Sequence, residues 1–146
     1  MTLPTAATLE TLVRLAGAGQ IVLVAASAAI PRVLGWREEV RRGLRPLTRQ
    51  VFWTWGAYIW ISHLAFGLLS ALGAHLLTDG STLSGIVAAF IATWWGARLV
   101  VQFTYFDRSA TGEGLKFKLA EVGLVSLFVS LAVVYGMVAL LDLRRG

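Results

Sequence analysis

Apolar and small residues fill four long stretches of the chain, at about residues 12–30, 51–77, 83–106 and 117–141, with polar residues gathered between them. A helix that crosses a bilayer needs about 20 mostly apolar residues, and each stretch meets that length. The pattern predicts an all-α, polytopic membrane protein. Four transmembrane helices would form an up-down antiparallel bundle, a single domain over residues 1–146. Thr5 to Glu10 reads as the start of the first helix, with a threonine cap and an acidic first turn. Pro31 ends or kinks that helix. TDGST carries an Asp-Gly turn signal and joins the second and third spans as a hairpin.

The polar segment between the first two spans has a periodicity of its own. In WREEVRRGLRPL, Trp36, Val40, Leu44 and Leu47 recur at spacings of four, four and three, while Arg37, Arg41 and Arg45 form a separate stripe. This predicts a short helix in the cytoplasmic interface, its apolar face toward lipid and Arg37, Arg41 and Arg45 toward anionic headgroups. Gly43 and Pro46 keep it short.

Composition agrees with the pattern. Hydrophobic residues make up 57% of the chain and charged residues 14%, against roughly a quarter charged in soluble domains. The first span resembles a signal-peptide core. However, no positive charge precedes Arg14, and the six arginines from Arg32 to Arg49 resist translocation. A retained helix is expected. Those six, with Arg108, Lys116 and Lys118, place nine Lys/Arg in the two loops that share a side, against Arg14, Arg144 and Arg145 on the other. By the positive-inside rule the nine face the cytoplasm of an inner membrane, and both termini face outward. The net charge of +5 follows from this arrangement. It does not point to nucleic acid, because no basic-aromatic platform lies outside the spans. The absence of cysteine excludes disulfides and thiolate metal sites.

Within the spans, Arg98 stands out, because an arginine at mid-helix costs roughly 2.5–3.5 kcal/mol on insertion scales. Trp94, Trp95, Gln102 and Tyr105 lie on its side of the helix at spacings of three and four. Together they form a polar-aromatic stripe, with Arg98 about 12 Å from the cytoplasmic end at Phe106. Glu121, one turn inside the fourth span, is the expected ion-pair partner of Arg98, with Asp107 competing. His63 lies mid-span beside Gly56, Trp60, Gly67 and Ser70. It is read as a hydrogen-bonding residue, with axial ligation of a haem or chlorin as the lesser reading. His63 and His75 are too far apart to share a metal, and no other metal site is expected. Small residues such as Gly17, Gly67, Gly73, Gly85 and Gly96 favour close helix packing.

No metalloprotease, serine-nucleophile or phosphate-loop motif is present, so an enzyme is not the first expectation. The residues point to an integral membrane subunit acting through helix–helix packing, an accessory part of a larger electron-transfer or photosynthetic complex. Its partners would be membrane lipids and another membrane protein or a second copy of itself. The alternative is a binding module or enzyme for a quinone, lipid or tetrapyrrole, built on Arg98, Gln102, Tyr105, Trp94, Trp95 and His63. No cofactor is required by the sequence. A small oligomeric channel ranks last, because no helix offers a continuous polar face.

Overall fold

The computed structural model describes residues 4–33, 35–105 and 115–145, with the backbone alone for Lys116 and Phe117. The described residues form helices α1 (Ala6–Ser27), α2 (Ile30–Val33), α3 (Trp36–Gly43), α4 (Pro46–Leu72), α5 (Thr82–Thr104) and α6 (Leu115–Leu143). A short 3-10 turn covers Ala74–Leu77, and no strand occurs among the described residues. Four segments are long and apolar enough to cross a membrane: Ala6–Val33, Pro46–Leu72, Thr82–Thr104 and Lys118–Leu143.

Local chemistry sets the helix ends. The Thr5 side chain accepts from the Thr8 amide at 3.2 Å and caps α1. That helix stops at Ser27, because Pro31 has no N–H to offer the Ser27 carbonyl. At the turn before α5, Asp79 Oδ1 accepts from the Ser81 amide at 2.8 Å and Gly80 takes a φ of 80°, which a side chain would resist. Ser81 then caps α5 through the Ser84 amide at 3.1 Å.

Two boundaries differ from the sequence pattern. The stripe Trp36–Val40–Leu44–Leu47 does not share one helix, because α3 ends at Gly43 and Leu44 and Arg45 are extended. A proline disfavours helical backbone in the residue before it, and Pro46 instead opens α4. Leu47 is therefore an exposed residue of α4, and Arg45 sits in the link. The second stretch also breaks: α4 ends at Leu72, where Gly73 donates to the Leu69 carbonyl at 2.8 Å, and the chain tightens into the 3-10 turn. Ala74 and Leu77 of that turn join Leu9 and Val13 of α1 in the core.

The helices pack chiefly as two pairs, α1 with α4 and α5 with α6, and α1 also meets α6. A Cβ on Gly17 would lie 2.5 Å from the Ala71 amide nitrogen and 2.8 Å from the Gly67 carbonyl, so only glycine permits this approach. Gly85 packs likewise on Leu143, where a Cβ would lie 2.8 Å from Cγ. In both pairs rising residue numbers meet falling ones: Gly17 lies against Ala71 and Gln20 against Gly67, and Ser84 against Asp142 and Trp95 against Phe128. In lipid such close contact is a main source of helix association.

This predicts an asymmetry between glycines. Gly17→Ala should cost about 1–3 kcal/mol through overpacking. Gly56→Ala, with nothing within 4 Å of its Cβ position, should stay within about 0.5 kcal/mol. Reversible unfolding in mixed micelles checks both, and equal effects would refute the assignment.

Candidate functional site: a polar and aromatic seam

Each long helix sends one polar side chain into a common centre: Gln20 from α1, Ser70 from α4, Trp95 from α5 and Tyr135 from α6, all fully buried. Gln20 Nε2 donates to Tyr135 Oη at 2.6 Å, and Trp95 Nε1 donates to Gln20 Oε1 at 3.2 Å. The Tyr135 and Ser70 hydroxyls share a further hydrogen bond. Backbone polar groups of a helix satisfy one another, but a side-chain amide in an apolar interior must find its partners on other helices. Gln20 does so on both ends of its amide.

Trp95 extends this centre into an aromatic seam. One face stacks on His63, with ring centroids 4.8 Å apart, and it also stacks on Phe128 at 5.2 Å. His63 Nε2 accepts from Trp94 Nε1 at 2.9 Å, so the neutral ring carries its proton on Nδ1. Phe66 and Phe90 close around Trp94 at 5.6 and 6.3 Å. Further along α5, the Arg98 guanidinium carbon lies 5.2 Å from the Phe128 ring centroid, and Arg98 Nη1 donates to Gln102 Oε1 at 3.2 Å.

Of the residues singled out in the sequence, Arg98, Gln102, Trp94, Trp95 and His63 therefore meet in one seam. Tyr105 lies at the end of α5, 82% exposed. His63 has Nε2 committed to Trp94 and one ring face covered by Trp95, so a macrocycle would have to displace both. Glu121 lines a groove of about 420 Å³ with Phe103, Lys118, Val122, Val125 and Ser126. Asp107 lies outside the described residues. Among the described residues no group of three His, Cys, Asp or Glu could hold a metal.

The arginine-rich segment forms a second opening, of about 410 Å³, lined by Arg37, Arg41, Arg49 and Trp53. Arg49 of α4 stands there instead of Arg45. Arg41 donates to both Glu38 oxygens, at 2.9 and 2.7 Å. That hydrogen bonding holds the Glu38 carboxyl below its ordinary range. Trp36, Phe52 and Trp53 cluster beside it, with centroids 6.3 and 5.3 Å apart.

Gln20, Ser70 and Tyr135 did not stand out as a site in the sequence, although Gln20 is the one amide in the first apolar stretch. That amide was the available signal. The chain matches no known protein family, and no curated protein or solved structure is significantly similar to it.

The centre predicts energetic coupling between helices that are distant in sequence. A double-mutant cycle of Gln20→Leu and Tyr135→Phe should give about 0.6 kcal/mol, the average for hydrogen bonds between membrane helices, and no more than about 1.7 kcal/mol. Additive effects would show that the two side chains do not act together.

Proposed function

We propose that the chain is an integral membrane subunit that works by packing against other membrane components, without chemistry of its own. The observation that carries this reading is the uncovered face of α4. Trp55, Tyr58, Ile61 and Leu72 are 66%, 64%, 63% and 74% exposed. Only 11% of the apolar stretch of α4 is buried, against 33% for α6. Accessory membership of a larger electron-transfer or photosynthetic complex fits such a surface.

In this reading the four long helices cross an inner membrane alternately, up and down, as the opposed numbering within both pairs supports. The arginines between α1 and α4 keep that side in the cytoplasm and both termini outside. Helix α3 lies in the interface, where Trp36, Phe52 and Trp53 suit the headgroup boundary and Arg37, Arg41 and Arg49 suit anionic headgroups. A second reading rests on the groove at Phe103, Lys118 and Glu121 near the Arg98–Gln102 end of the seam. It would take a lipid or quinone headgroup, with Arg98 and Glu121 paired at its inner edge.

Extraction from native membranes in a detergent-free polymer disc tests both. A stoichiometric partner should co-purify, and its crosslinks should map to α4. A protein that runs alone contradicts the subunit reading. A bound lipid or quinone found by mass spectrometry, and lost in a folded Arg98→Leu variant, would favour the second.

A further inference from the structure

Helices α3 and α4 each bring two residues, one helical turn apart, to a single opening. On α3 these are Arg37 and Arg41, and on α4 they are Arg49 and Trp53. Residues four apart share a helix face, so the opening is built from one face of each helix. Aromatic rings join the two. Trp36, next to Arg37, meets Phe52 edge-on at 6.3 Å, and Phe52 meets Trp53 at 5.3 Å. The volume of about 410 Å³ falls among ligand clefts, which run from about 300 to 1,000 Å³.

Charge decides what this opening can take. Glu38 is shared between Arg41 and Arg42, so one carboxylate offsets one of two guanidiniums. Arg37 and Arg49 have no carboxylate partner among the described residues. Glu39 falls about half a turn round α3 from Arg37 and Arg41, away from the opening. Two guanidiniums of the lining are thus left unpaired, with Arg41 beside them. A phosphodiester carries one negative charge. A phosphomonoester carries about 1.5 to 2 at pH 7, on three acceptor oxygens, and guanidinium forks match that geometry. Arg49 and Trp53 are half-buried, where charge contacts are screened less than in open water.

Helix α4 indicates what carries the phosphate. By the helical period, the face of Arg49 and Trp53 continues inward through Gly56 and Trp60. Further along, at Gly67, the same face meets Gln20 and Ile21 of α1. At Gly56 nothing described lies within 4 Å of the Cβ position, so there is room beside Trp53 for an acyl chain. Trp55, Tyr58 and Ile61 fall on the opposite side of α4, so a lipid here leaves the face of a protein partner clear.

We propose that the opening between α3 and α4 binds one lipid with a phosphomonoester headgroup, its phosphate held by Arg37, Arg41 and Arg49 and its chain laid along Trp53 and Gly56. The site rests on the interfacial placement of α3 and deepens it, and it is independent of the subunit reading.

Native mass spectrometry of the full chain in uncharged detergent micelles tests it, by titration with phosphatidic acid or with phosphatidylglycerol of the same chains. One phosphatidic acid should bind per chain, about fivefold or more tighter than phosphatidylglycerol, the factor for one further arginine–phosphate contact at a membrane surface. Arg37→Gln and Arg49→Gln should each weaken it by about that factor. Arg32→Gln and Arg45→Gln, outside the opening, should change it less than about twofold. Equal affinity for the two lipids overturns the proposal, and that comparison needs no variant to fold. If all four variants also lose binding equally, the attraction is diffuse, which overturns the site but leaves α3 in the interface. Binding of neither lipid overturns both. Displacement of phosphatidic acid by inorganic phosphate at equal concentration marks a site for the free anion and overturns the lipid assignment.

Discussion

A side-chain amide buried in an apolar bundle must be satisfied by other helices, and Gln20 is the amide on which all four long helices converge. Its carbonyl takes the Trp95 indole, and its NH2 takes the Tyr135 hydroxyl. Tyr135 in turn engages Ser70. Sliding α1 by one helical turn, about 5.4 Å, would strand both ends of the amide and the groups that meet them. An unsatisfied buried group costs about 1–3 kcal/mol, so this small network discriminates sharply between registers. Apolar packing alone does so weakly, because lipid chains are as apolar as leucine.

The network joins two pairs that are built differently inside. Gly17 with Gly67, and Gly85 with Leu143, bring backbones into van der Waals contact within each pair. Between α4 and α5 the contact is made by rings: His63 on Trp94 and Trp95, and Phe66 on Phe90. Side chains of that size hold the helix axes apart. Helix α4 is thus anchored along one edge and left with a broad apolar surface, which is the feature that gives the subunit reading its force.

How much of this could be read in the sequence depends on how unusual each residue is in its setting. Four apolar stretches and one intramembrane arginine are rare enough to be informative, and the His63, Trp94, Trp95, Arg98 and Gln102 grouping follows from helical spacing plus one helix–helix contact. Gln20 sits among glycines, alanines and valines that read as generic packing, and nothing local says that it meets Tyr135, 115 positions on. The stripe from Trp36 to Leu47 shows the opposite error. Its spacing is right for one helix, but Pro46 forces Arg45 out of helical backbone, and a local steric rule outweighs the period. Asp142 lies beyond the apolar run, which stops at Leu141, whereas hydrogen bonding carries α6 on to Leu143.

Arg98 and Asp142 show two answers to the same problem of charge in an apolar interior. Arginine has a long stem, so Arg98 rests its guanidinium against Phe128 and reaches Gln102 toward the helix end, remaining half-buried. It can keep its charge because its reach brings polar company. Aspartate has one methylene, and Asp142 cannot move its carboxyl away from where the backbone of α6 puts it. It is met where it stands, by the Ser84 hydroxyl of α5, beside the close contact of Leu143 with Gly85. Side-chain length therefore decides where each group finds its partner: along its own helix for Arg98, and across to α5 for Asp142.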